Sequence, residues 1–208
     1  MMASEQTIEL WSAQERVVID ALERDGVSRV KMAYVERKYA ESAWAFREAY
    51  GFFHRESARM MELPEGAESA IWLYADKSNL YAGPGSYVLK LVIPCSRVIL
   101  FDSRMWNTIL NLSYIPADEA DAQRFRAELE RMGITDTRVL FETPFYPLQK
   151  RRVQESWKRL FSSADGCPAC YLQAAVWELR RSWVQEIIPV GEDPSQVRPV
   201  SSGERRAV

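Results

Sequence analysis

Two β-forming runs, Tyr87-Val88-Leu89-Lys90-Leu91-Val92-Ile93 and Arg97-Val98-Ile99-Leu100-Phe101, are separated only by Pro94-Cys95-Ser96. β-Branched and aliphatic residues at this density pack on pleated surfaces, so a sheet must form in the middle of the chain. Three turn residues suit an adjacent antiparallel or bent pair, which is expected at the sheet centre. Ala70 to Ala75 is a near-continuous apolar run, the pattern of a strand covered on both faces. A first strand is expected over Thr7–Ala13, where Ile8 and Leu10 alternate with polar neighbours. A helix should follow at once, capped by Ser12 with Glu15 three residues on and stopped by Gly26.

Val27–Val30 reads as a short strand, and Ala33–Leu63 as two helices broken at Gly51. Asp102 or Ser103 should cap a helix with Met105, Trp106, Ile109 and Leu110 on its apolar face. Ala117–Met132 reads as a charged surface helix, Arg138–Glu142 as a strand and Pro147–Phe161 as a docked surface helix. Ala169–Leu179 and Trp183–Val190 are strand-like, joined by Arg180-Arg181-Ser182. Helices gathered between strand pairs argue for an α+β class: a mixed, largely antiparallel central sheet with flanking helices. One domain is expected over 7–190. The segment 191–208 holds two Pro and little to bury, and is expected to be a flexible tail.

Composition narrows the chemistry. A single histidine, His54, excludes multi-His metal sites and leaves Ser-His-Asp or Cys-His catalysis one candidate, itself inside a helical run. Cys167-Pro168-Ala169-Cys170 has redox-motif spacing, but it leads into a strand, whereas a reactive thiol of that type sits at a helix N-terminus. No metal is expected. No apolar run approaches the ~20 residues of a membrane span and the first residues carry no export signal, so a cytoplasmic, membrane-free protein is expected. The formal net charge of −2 gives the whole chain no pull toward nucleic acid. A local basic contact remains open at Lys150, Arg151, Arg152, Arg180 and Arg181.

Three segments set polar groups beside Trp where a strand ends or turns: Leu10-Trp11-Ser12-Ala13-Gln14, the Phe101–Asn107 junction, and Leu172 to Arg180. Glu178 is the most informative, because an acid inside an apolar run must face water, pair with a cation such as Arg180 or Arg181, or serve a pocket. For Asp102, helix capping is the plain alternative to a ligand role.

The order Leu-Trp-Ser-Ala-Gln, Phe101 through Asn111, Ser156-Trp157-Lys158-Arg159-Leu160-Phe161, and Gln173 through Trp177-Glu178-Leu179 resembles an uncharacterised bacterial domain family of unknown function. Asn107 stands where that family's motif carries His. The layout is also similar, more faintly, to ADP-ribosyltransferases: a first strand with a ligand residue, a helix, an aromatic-bearing strand, a sheet pair with an Asp junction, and a late strand with an acid. That resemblance implies an ADP-ribosyltransferase-like fold and NAD as co-substrate. It implies Glu178 as catalytic carboxylate and Gln173 as its helper, Trp11 and Gln14 at the ribose and amide, Tyr74 on nicotinamide, and Asp102 and Asn107 nearby. The acceptor would be an unknown macromolecule, protein or nucleic acid. In the transferase pattern the Gln and the acid are two apart on one strand face; here they are five apart, on opposite faces of an unbulged strand. The competing expectation is a non-enzymatic nucleotide- or protein-binding module.

Overall fold

The computed structural model describes residues 5–39 and 43–191, with the backbone alone at 37–39. Apart from Gly191, the tail expected at 191–208 lies outside them.

In chain order the strands are β1 (Thr7–Gln14), β2 (Val27–Ser28), β3 (Ile71–Tyr74), β4 (Tyr87–Pro94), β5 (Ile99–Asp102), β6 (Leu172–Val176), β7 (Leu179–Arg180) and β8 (Val184–Pro189). The helices are α1 (Arg16–Asp25), α2 (Met32–Tyr39), α3 (Ala43–Met60), α4 (Ser103–Leu110), α5 (Glu119–Arg131), α6 (Val139–Glu142) and α7 (Pro147–Ser156). Six strands form an antiparallel sheet in the order β5-β6-β3-β1-β4-β8, and β2 and β7 form a separate ribbon. The fold is therefore α+β, with an antiparallel central sheet and flanking helices.

The sheet is two halves joined at a narrow seam. β1 and β4 pair along their whole length, from Thr7↔Pro94 to Gln14↔Tyr87. β1 and β3, by contrast, are in register at Trp11↔Tyr74 alone. Beyond that pair the strands part, and the Ser12 hydroxyl donates to the Trp72 carbonyl oxygen at 3.2 Å where a ladder bond would otherwise run. Ser12 is thus a strand residue at the seam and not the helix cap expected. Glu15 occupies the cap position of α1 without a side-chain cap bond, and Gly26, at φ 71°, ends the helix in the left-handed conformation that glycine adopts without strain.

Alternation along each strand decides where each half buries its side chains. Leu10, Leu89, Leu91 and Ile93 from one half meet Ile71, Leu73, Ala174 and Val176 from the other in a single apolar cluster, closed by Ile19 and Leu22 of α1. The opposite face of the β5-β6-β3 half carries Trp72, Phe101, Ile99 and Ala175 against α3, α4 and the 3-10 segment Trp157–Ser162. The opposite face of the β1-β4-β8 half is solvated: Lys90 sits between Glu9 at 3.1 Å and Glu186 at 3.9 Å. β3 is accordingly covered on both faces, as its apolar run predicts.

Several expectations need correction. β4 and β5 are not partners, because β1, β3 and β6 lie between them. The 3-10 turn Cys95–Arg97 carries the chain from one half of the sheet to the other, and β5 is an edge strand, so the two runs form neither a pair nor the sheet centre. Gly51 lies inside α3 (Ala43–Met60) and does not break it. The strand expected at Arg138–Glu142 is instead a short helix, α6, with Arg138 at its N-cap position. The Pro147–Phe161 stretch docks as expected, with Val153, Trp157 and Leu160 buried and Leu148, Arg151, Glu155 and Lys158 exposed, but it is α-helical only to Ser156 and 3-10 from Trp157. α5 also buries Phe125 and Leu129 in the larger cluster. Among the described residues no helix is long and apolar enough to cross a membrane.

Candidate functional site: a cleft at the split in the sheet

Where β1 and β3 part, a cleft of about 600 Å³ opens. Its floor comes from the diverging strands, through Ala13 and Gln14 on β1 and Trp72 and Tyr74 on β3. Its walls come from Val17, Val18 and Ala21 of α1, from Arg29, Lys31 and Tyr34 around the β2–α2 connection, and from Tyr81 and Ser86 of the β3–β4 loop. This volume lies within the range of small-molecule and cofactor sites.

Polar groups on the floor are fixed by one another. Gln14 Nε2 donates to the Ser12 hydroxyl at 2.7 Å, and the Trp72 indole Nε1–H donates to the Tyr50 hydroxyl oxygen at 3.0 Å. Across the wall the Tyr34 hydroxyl donates to Glu15 Oε1 at 3.0 Å. Lys31 Nζ donates to the Gly66 carbonyl oxygen at 3.0 Å and to Glu68 Oε1 at 2.9 Å. That bond, with the Met32 amide N–H second, holds the Glu68 carboxyl below its ordinary range.

Arg29 connects this cleft to Glu178. The β2–β7 ribbon pairs Val27 with Arg180 and Ser28 with Leu179, so one step further Arg29 faces Glu178. Arg29 donates from Nε at 3.0 Å and from Nη2 at 2.8 Å, both to Glu178 Oε2. Arg180, two residues along and so on the same strand face, donates from Nε to Oε1 at 2.6 Å. Glu178 is 3% exposed, and both of its oxygens are engaged. It is not among the residues lining the cleft; Arg29 stands there in its place. The sequence singles out this acid and one of its cations, Arg180, but not Arg29, which is 149 positions away.

The other candidate residues scatter. Gln14 and Tyr74 line the cleft. Trp11 projects on the solvated face instead, with the Lys77 and Lys90 ammonium groups 4.9 and 5.5 Å from its ring. Gln173 is buried on β6, in register with Tyr74 and with Phe101. The chain bends at Trp177, after β6, so Gln173 lies on β6 and Glu178 in the link before β7, rather than on opposite faces of one strand. Asn107 is exposed on α4, and neither it nor Asp102 touches the cleft.

Asp102 is a helix cap. Its carboxylate accepts from the Arg104 amide at 2.8 Å and from the Arg104 guanidinium. The Arg104 side chain holds this carboxyl below its usual range, with the Arg104 amide adding to the effect against burial. A carboxyl whose pKa falls on folding contributes stability that is fully present above the unfolded value, about 3.9, and is lost as pH drops through the lower folded value. Asp102→Ala is therefore expected to cost about 1 kcal/mol at neutral pH. In urea unfolding at a series of pH values the gap should close below about pH 4. An undiminished gap in acid would mean that the lost energy is packing and not the cap.

The cysteines and basic residues also have definite places. Burial, and then the Asp102 charge, push the Cys167 thiol up, the opposite of what a redox nucleophile requires. Lys150 pairs with Glu48 at 2.8 Å, Arg152 with Glu128 at 2.5 Å, and Arg181 donates to the Val184 carbonyl oxygen. Arg151 is exposed.

No curated protein and no solved structure matches the chain. The family match runs over residues 9–185, from β1 into β8, and so spans every element that builds the cleft. The chain belongs to the family described as a domain of unknown function, DUF3841.

Proposed function

We propose that the cleft binds NAD and that the protein is an ADP-ribosyltransferase-like enzyme acting on a macromolecular acceptor, protein or nucleic acid. One observation carries this reading. The cleft lies between the first strand and the aromatic-bearing strand, the two elements that the transferase resemblance assigns to NAD, and Gln14 and Tyr74 both line it. Tyr74 offers a ring to nicotinamide, and Gln14, held by Ser12, offers a carboxamide to the ribose or amide. A cleft of about 600 Å³ has room for an extended dinucleotide with part of it in solvent.

The chemistry asks little of the protein. The bond from ribose C1′ to the nicotinamide nitrogen breaks, its electron pair leaves with neutral nicotinamide, and the acceptor's nucleophile bonds to C1′ and gives up its proton. An oxocarbenium-like sugar needs a carboxylate or oriented dipoles nearby, as in glycoside cleavage. The resemblance gives that role to Glu178, which reaches the cleft only through its contact with Arg29, whereas Glu15 is the acid that lines it.

The engagement of both Glu178 oxygens favours a second reading, a nucleotide-binding module without turnover. The two readings part in one experiment. NAD is mixed with purified protein, with and without cell lysate, and free nicotinamide is measured beside NAD binding by calorimetry. Transferase activity gives nicotinamide; a binding module holds NAD and returns it intact. Neither release nor binding would remove NAD from the cleft altogether.

A further inference from the structure

Arg29 is held at the cleft wall in a way that its own stability does not require. It is an arginine directly after a two-residue strand, with a side chain 36% exposed, and both of its bonds go to a single oxygen of a carboxylate that Arg180 already pairs. Nε and Nη2 make those bonds; Nη1 makes no hydrogen bond among the described residues. Two guanidiniums against one carboxylate leave one positive charge uncompensated. A buried carboxylate that fixes one arm of an arginine leaves the other arm's planar donors in a set direction, the arrangement that suits oxyanions of phosphate geometry. The neighbouring Lys31 ammonium adds charge to the same wall, although Glu68 balances it. Glu15, the acid in that wall, accepts from Tyr34.

We infer that Arg29, oriented by Glu178 and supported by Lys31, forms a phosphate subsite in the cleft, and that the ligand there carries a diphosphate. This rests on the nucleotide reading of the cleft for the identity of the ligand, not for the existence of the anion site. Glu178 acts in it as a positioning residue: it holds the guanidinium without touching the phosphate.

Calorimetry with inorganic pyrophosphate, ADP-ribose and adenosine, at low salt, tests it. Pyrophosphate and ADP-ribose should bind the unmodified protein and adenosine much more weakly. Arg29→Ala should weaken both phosphate ligands at least about tenfold, the scale of a lost charge-assisted pair. Arg29→Lys should restore part of that loss, because it returns the charge without the fork. Glu178→Gln moves the opposite way: it removes a negative charge behind the guanidinium and keeps an acceptor on it, so pyrophosphate should bind as tightly or several-fold more tightly. A merely structural role would weaken binding in both Arg29→Ala and Glu178→Gln, and that pattern overturns the subsite. So does pyrophosphate that fails to bind, or binds equally to Arg29→Ala with its unfolding midpoint preserved. Pyrophosphate bound through Arg29 without any NAD binding sustains the subsite and removes the NAD reading. NAD bound equally by Arg29→Ala does the reverse.

Discussion

Phe53→Ala is expected to destabilise the protein by about 5 kcal/mol, the upper end of the range for deleting a buried aromatic. Phe53 is 1% exposed in the middle of α3, and five other rings surround it. Trp72 lies at 5.2 Å, Trp106 at 5.4 Å and Phe101 at 5.7 Å, all close to edge-on, with Phe161 and Trp177 at 5.3 and 6.3 Å. These six rings come from five parts of the chain and stand too rigidly to collapse into the space a phenyl leaves. Edge-to-face pairs contribute beyond the area they bury, which places this site above an ordinary Phe→Ala change. Against a total stability on the order of 5–15 kcal/mol, the variant should be close to unfolding at room temperature. Urea denaturation followed by tryptophan fluorescence reads it directly. A loss below about 2 kcal/mol would show that the ring cluster relaxes around the gap and does not anchor the fold. Because Trp72 also floors the cleft, with its indole donating to Tyr50, ligand binding should weaken along with stability in a partial variant such as Phe53→Leu.

What could be read from the sequence was local. β1, β3 and β4 announce themselves through alternation or continuous apolarity over four to eight residues, and Asp102 and Gly26 mark helix ends by chemistry that acts within two or three residues. The partners of these elements are set by distant segments, and there the local signal ends. Pro94-Cys95-Ser96 has the spacing of a turn between neighbouring strands, but the sequence cannot say that three other strands will enter between them. Gly51 has a breaker's intrinsic cost, yet packing of Tyr50, Phe52 and Phe53 on either side of it outweighs about 1 kcal/mol of propensity. Val153, Trp157 and Leu160 read correctly as the buried stripe of a docked helix, but nothing local tells that the chain tightens into 3-10 geometry after Ser156.

The site was legible to the same extent. A charge in the apolar stretch Ala174–Leu179 needed a reason, and pairing with Arg180 was readable at two residues' distance. The seam could not be seen, since it is a failure of pairing between β1 and β3 that depends on how each strand is held by its other neighbour. Arg29 could not be seen either: it is a lone arginine next to a short apolar strand, and its significance lies wholly in the register of the β2–β7 ribbon. Gln14 and Tyr74 were found through resemblance, and the seam is the physical reason that both line one cleft.

Glu178→Gln is the substitution that separates what this carboxylate does for chemistry from what it does for structure. Glutamine has the same shape and keeps an oxygen for one guanidinium, and the Arg29 and Arg180 side chains, 36% and 49% exposed, can turn to water. The stability cost should therefore stay near about 1–2 kcal/mol, less than that of stranding a fully buried charge. If nicotinamide is released from NAD by transfer or hydrolysis and Glu178 is the acid that the developing positive sugar meets, the sugar loses that carboxylate's charge, and the release rate should fall by about 10²–10³-fold. NAD affinity should hold or rise several-fold, so the whole loss appears in turnover and none in binding, the signature of an interaction made in the transition state. A release rate that survives Glu178→Gln within a few-fold would take this carboxylate out of the chemistry. Its work would then be confined to holding Arg29 against the cleft, and the acid that stabilises the sugar would have to be sought among groups that the cleft reaches directly, of which Glu15 is the acidic one in its wall.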